Sequence, residues 1–119
     1  HAVCDALLGA ASLGDLGTHF PSSDDRWRGV SSLEFIRAVR AMVDEAGWEV
    51  SNIDAVVIAQ APKLAPHVSA MRKNLAEALS IDAERVSVKA TSTDGLGMTG
   101  RGEGMAAQAV AMLHSAGSS

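Results

Sequence analysis

A chain of 119 residues accommodates one domain with a real core, and 47% apolar against 20% charged residues excludes a disordered chain. A net charge of −4, scattered basic residues and the absence of tyrosine argue against a nucleic-acid surface, which wants a positive stripe and stacking aromatics. Asp, Lys or Arg interrupts every apolar run before membrane-spanning length, and a single cysteine, Cys4, excludes an internal disulfide and points to a reducing compartment such as the cytoplasm.

The opening HAVCDALLGAASLGD lacks the basic start of a signal peptide and carries Asp5 in its middle, so a helix is expected over residues 1–13. It begins in helical pattern without a cap, as a domain entered partway does. Residues 14–29, GDLGTHFPSSDDRWRG, have the Gly, Pro, Ser and Asp content of an irregular surface loop. Ser31 and Glu34 then stand at capping-box spacing, Leu33, Ile36, Val39 and Val43 recur at helical spacing, and Gly47 supplies a left-handed stop. IDAVVIAQ, residues 53–60, is a β-branched run that reads as a buried strand ended by Pro62. Pro66 suits the first turn of another helix, on which Val68, Met71, Leu75 and Leu79 form one stripe. VSVKAT, residues 86–91, alternates as a strand, and the glycine-dense STDGLGMTGRGEG follows it. The closing MAAQAVAML has helix propensity, yet a short bounded apolar run also fits a buried strand. The order is that of an α/β fold whose helices cover a sheet.

Several stretches have the residue types that chemistry needs. His1 and Asp5 share a helix face at a spacing of four, so both could ligate one metal, or the carboxylate could orient the imidazole. Cys4 could also reach; otherwise Asp5 is a first-turn acid and Cys4 a small core residue. Asp15, Gly17 and Ser23 put a carboxylate, a free amide and a hydroxyl in one loop, fit for a polyol or phosphate unless it is a solvated turn. AQAPKLAP follows a strand, where backbone groups can read a base edge and Lys63 can meet a phosphate; an ordinary proline-ended turn fits equally. Thr91, Ser92 and Thr93 beside Asp94 pair hydroxyls for oxyanions with a carboxylate for Mg²⁺. No Walker loop is present, and GLGMTG lacks the context of a dinucleotide fingerprint. His19, His67 and His114 stand without a ligand partner at useful spacing and read as surface residues.

Singly these signals are weak, but their order is specific. HAVCDALLGAASLGDLGTHFP, then AQAPKLAPH, then VKATSTDGLGMTGRGEGMA, resembles the successive signature blocks of the 2-C-methyl-D-erythritol 2,4-cyclodiphosphate synthase family, across essentially the whole chain. The resemblance implies a phosphorus–oxygen lyase of the non-mevalonate route to isoprenoid precursors. Its substrate, 4-diphosphocytidyl-2-C-methyl-D-erythritol 2-phosphate, would close into the 2,4-cyclodiphosphate with release of CMP. It further implies Zn²⁺, a second Mg²⁺ or Mn²⁺, and a homotrimer with active sites between subunits.

Carried over by position, His1 matches a zinc ligand, and Asp94 stands where the family often has glutamate and should hold the second metal. Ser92 falls at a threonine that helps stabilise the transition state, with Thr91 and Thr93 at phosphate-contacting positions. Asp15, Leu16 and Gly17, with Phe20, Pro21, Ser22, Ser23 and Asp24, match the methylerythritol loop, Ser22 replacing a frequent aspartate. Ala59, Gln60, Ala61, Pro62, Lys63, Leu64 and Ala65 match the cytosine pocket, and Met98 belongs with the substrate-binding positions. Arg101 matches a residue lining the trimer's central cavity, where some members bind isoprenoid diphosphates. The resemblance also makes residues 105–113 a strand in a mixed sheet, covered by helices on one face, at the trimer's central sheet core.

One departure is an absence: no Asp-x-His pair and no HSDGD-type loop precede His1, so the single domain over residues 1–119 is expected to lack the family's N-terminal strands. A lone histidine cannot complete a catalytic zinc site, and the missing ligands are expected upstream in the molecule. The competing reading is a non-catalytic trimer that binds nucleotide or isoprenoid diphosphate. Fusion to a cytidylyltransferase, as in some family members, is a third.

Overall fold

The computed structural model describes residues 1–21, 23, 31–59, 65–91 and 105–116. Helices α1 (Ala2–Ala10), α2 (Leu16–His19), α3 (Ser32–Glu45) and α4 (Val68–Leu79) accompany strands β1 (Trp48–Ala59), β2 (Val86–Thr91) and β3 (Met105–Ser115). The sheet order is β2-β1-β3, with β1 parallel to β2 and antiparallel to β3. The parallel pair requires a crossover, and α4 supplies it.

Helix α1 stops short of the expected residue 13 because Ser12 turns left-handed, at φ 58°. The Leu13 amide then folds back to the Leu8 carbonyl at 2.8 Å, satisfying a carbonyl that the helix end leaves open. The stretch expected to be an irregular loop contains α2, a correction with a local cause. Asp15 caps it by accepting the Thr18 amide at 2.8 Å.

Helix α3 starts as its sequence demands, with Ser31 Oγ accepting the Glu34 amide at 3.4 Å. The Glu34 carboxylate meets Arg37 one turn on. Gly47 takes φ 93° at the exit, and its amide donates to the Asp44 carbonyl at 3.0 Å, the left-handed stop that its position implied. Strand β1 begins at Trp48, five residues before the expected 53, with a register irregularity between Val50 and Asn52. Pro66 lies in a 3₁₀ turn, Ala65–His67, that leads into α4. The Arg72 Nε–H is shared between the Ala83 and Val86 carbonyls at 2.8 and 2.7 Å, fastening α4 to the start of β2.

All three longer helices pack on one face of the sheet: α1 against β3, α4 against β2, and α3 between them against β1. Val3, Cys4, Leu7 and Leu8 of α1 meet Ile36, Val39 and Val43 of α3 and Ile53, Val86 and Val88 of the strands in one core. A mixed sheet covered by helices on one face is therefore what the described residues form. Residues 105–113 are strand, as the family resemblance required and helix propensity alone did not.

Candidate active site

The described span of β1 ends at Ala59 and that of β2 at Thr91, and that of β3 begins at Met105. Ile58 pairs with Thr91 across the parallel ladder and Ala59 with Met105 across the antiparallel one, so all three points lie at one edge. Ligands in open α/β sheets lie at the carboxyl ends of strands, and β1 and β2 both end here. Gln60, Ala61, Pro62, Lys63 and Leu64, and Ser92, Thr93, Asp94, Met98 and Arg101, lie outside the described residues, as do Ser22 and Asp24.

His1 takes the N-cap position of α1 without a side-chain capping bond, exposed, and its ring stands edge-on to Phe35 of α3 at 5.8 Å between centroids. It borders an apolar cavity of about 310 Å³ between helices and sheet, floored by Leu33, Ile36, Ala55 and Val88. Phe35 in turn stands edge-on to Phe20 at 5.4 Å, so the metal-ligand candidate and the polyol-loop candidate converge on one aromatic ring. Sequence reading passed over Phe35, since it falls beside the Leu33, Ile36, Val39 stripe rather than on it; an aromatic flanking that stripe was the available signal.

The Asp15–Phe20 turn is built by short-range bonds. Asp15 Oδ1 accepts both the Thr18 amide, at 2.8 Å, and the Thr18 hydroxyl, at 2.6 Å. These bonds favour the ionised form and hold the Asp15 carboxyl below its ordinary range, the side-chain bond contributing most. His19 Nε2 donates to the Leu13 carbonyl at 2.5 Å and closes the turn, so it is half-buried and structural rather than a plain surface residue. Leu16 is buried beneath, while Gly17, Pro21 and Ser23 are exposed.

The structure decides between the alternatives left open for Cys4. Cys4 is fully buried, and burial pushes its thiol up, which makes it a core residue and not a ligand. Asp5 turns its Oδ1 to the Leu16 amide at 2.7 Å. His67 is exposed at the start of α4, as expected. His114 does have partners: its Nδ1 lies 2.6 Å from Ser51 Oγ and its Nε2 2.9 Å from Glu49 Oε2, at the end of the sheet away from Thr91. At that end a cleft of about 350 Å³ collects Arg40, Asp44, Glu49 and Arg85. It lies at the opposite end of β1 from Ile58 and its partner Thr91.

As a metal site the described residues are incomplete. The exposed imidazole of His1 fits one zinc ligand position, and no group of three His, Cys, Asp or Glu side chains among the described residues could hold a metal ion. No described helix is long and apolar enough to cross a membrane.

The YgbB family matches residues 1–114. Among curated relatives, the 2-C-methyl-D-erythritol 2,4-cyclodiphosphate synthase of Lachnospira eligens is 55% identical over 97% of this chain, which spans 63% of that protein's length. The protein of the same name from Azotobacter vinelandii is 58% identical over 95% of this chain and 72% of its own. Among solved structures, the bifunctional IspDF of Campylobacter jejuni superposes with a TM-score of 0.90 at 43% identity, over 95% of this chain and 31% of that one. The IspF of Plasmodium falciparum in complex with CDP gives a TM-score of 0.84 at 30% identity, over 98% of this chain and 69% of that one. A likeness so strong in sequence and in backbone, over nearly every residue, leaves one assignment: the chain belongs to the YgbB family, that of the 2-C-methyl-D-erythritol 2,4-cyclodiphosphate synthases.

Proposed function

We propose that the protein to which this chain belongs converts 4-diphosphocytidyl-2-C-methyl-D-erythritol 2-phosphate into 2-C-methyl-D-erythritol 2,4-cyclodiphosphate and CMP. An oxygen of the substrate's 2-phosphate attacks its own β-phosphorus. The bond from that phosphorus to the bridging oxygen breaks, and CMP leaves with the electron pair. The enzyme is then a phosphorus–oxygen lyase of non-mevalonate isoprenoid precursor synthesis, working in the cytoplasm. The observation that carries this reading is 52–58% identity, over at least 95% of the chain, to three proteins bearing that name.

No protein nucleophile is needed, so the residues work by placement and charge. Asp15 and Gly17 would hold the methylerythritol hydroxyls: one Asp15 oxygen is engaged by Thr18, and the other is the natural acceptor for a polyol. Ala59 through Ala65 would receive the cytosine, a role consistent with the CDP bound by the Plasmodium falciparum relative. Thr91, Ser92 and Thr93 would meet phosphate oxygens, with Ser92 donating as charge develops. His1 would serve Zn²⁺ as one ligand and Asp94 would serve Mg²⁺ or Mn²⁺; bound cations would supply the positive charge that a diphosphate requires. A homotrimer would bring neighbouring subunits together at each site, with Arg101 near the axis as a candidate contact for isoprenoid diphosphate.

The test is turnover of the diphosphocytidyl substrate by the full-length protein with Zn²⁺ and Mg²⁺, with CMP and the cyclic diphosphate followed by chromatography and ³¹P NMR. Both products, and their loss with a chelator, are expected, together with about one zinc per chain by elemental analysis. A well-folded, metal-replete protein that releases no CMP sinks the proposal.

A further inference from the structure

Helix α1 and the turn after it are joined at two places outside the core. Asp5 Oδ1 accepts the Leu16 amide at 2.7 Å, across eleven residues of chain. The His1–Phe35–Phe20 ring contacts, at 5.8 and 5.4 Å, form the second join. Leu16 is the first residue of α2, so its amide has no acceptor inside that helix. The capping carboxylate of Asp15 is already turned to Thr18, two residues further on. Asp5 therefore gives the Leu16 amide the acceptor that the turn itself does not provide. Bonds of this kind, from an amide to a carboxylate, are shorter and stronger than neutral ones.

We infer that Asp5 is a positioning residue for substrate: its carboxylate fixes the Asp15–Gly17 backbone to helix α1, so that the polyol-binding turn and His1 move as one body. The inference rests on the proposed role of Asp15, Leu16 and Gly17 in holding methylerythritol. It assigns Asp5 neither to the metal nor to the reacting phosphates. A turn released from α1 must be ordered again each time substrate binds, and that cost falls on binding rather than on the chemical step.

In the full-length protein, Asp5→Ala is expected to raise KM about tenfold while kcat stays within about twofold. Bound zinc per chain should not change, and hydrogen exchange at the Leu16 amide should accelerate. Asp5→Asn keeps an acceptor oxygen without the charge, so its KM should fall between wild type and Asp5→Ala. Wild-type KM in Asp5→Ala overturns the inference, as does an Asn variant no better than the Ala variant. Loss of zinc from both variants overturns it too, by making Asp5 a ligand. If Asp5→Ala fails to fold, the KM and Leu16 exchange of Asp5→Asn decide alone. A wild-type protein that releases no CMP would instead overturn the synthase reading; Leu16 exchange, which needs no substrate, still reports whether the tether exists.

Discussion

On the helix side of the sheet Ile53, Val86 and Val88 are buried, whereas on the opposite side Val110 and Met112 of β3 remain 70% and 62% exposed. The two faces draw on the same strands, but the open one mixes Val110 and Met112 with polar residues such as Asn52 and Gln108. What separates them is cover: α1, α3 and α4 all lie on one face, and among the described residues none lies on the other. The open face also carries Asp54 and Lys89, 2.9 Å apart on neighbouring strands and half exposed. Val110 and Met112 stand two residues apart on one strand, and cover by another chain would bury both. The proposed trimer would supply such a contact.

The largest effect should come from attacking the open face. If the full-length protein is the proposed trimer, Val110→Asp is expected to convert it to monomers by light scattering while far-UV circular dichroism stays unchanged; a persistent trimer would place the subunit contact elsewhere. On the covered face, Leu7→Ala empties a fully buried position and should cost about 2–5 kcal/mol in denaturant melts. If both substitutions had the same effect on both readouts, the distinction between the faces would fail. Ser31→Ala removes a cap that belongs to neither face and should cost about 1 kcal/mol, with no change in assembly. The smallest effect is at Asp15, whose folded carboxyl titrates below its unfolded value. Its contribution is present above the unfolded pKa and lost as pH falls through the lower folded one. In an NMR titration the Thr18 amide should report that low transition, and Thr18→Val should move it back toward the ordinary carboxylate range.

How far the sequence could be read depended on the range of the interactions. The α3 cap at Ser31 and the left-handed Gly47 are set within a few residues, and each was legible, whereas of the α4 stripe only Leu79 is buried, Val68, Met71 and Leu75 are half-buried, and Ala76 and Ala78 were missed. The α2 turn was equally local but hidden, because Asp15, Gly17 and Thr18 are as common in loops as in caps. His114 looked solitary because its partners, Ser51 and Glu49, are 63 and 65 residues away. Asp5 showed its spacing from His1 but not its bond to Leu16, which depends on where the chain turns after Ser12.

By itself the sequence determined the family, since ordered blocks of residues survive independently of any contact, and it determined the elements whose caps and periodicity are local. Only the tertiary structure decided that the alanine-rich residues 105–113 extend as a strand. Their backbone groups found partners along β1, and that pairing outweighed a helical preference of a few tenths of a kcal/mol per residue, roughly. The tertiary structure likewise brought Phe35 between His1 and Phe20, because α1 and α3 must share one core before those three rings can meet.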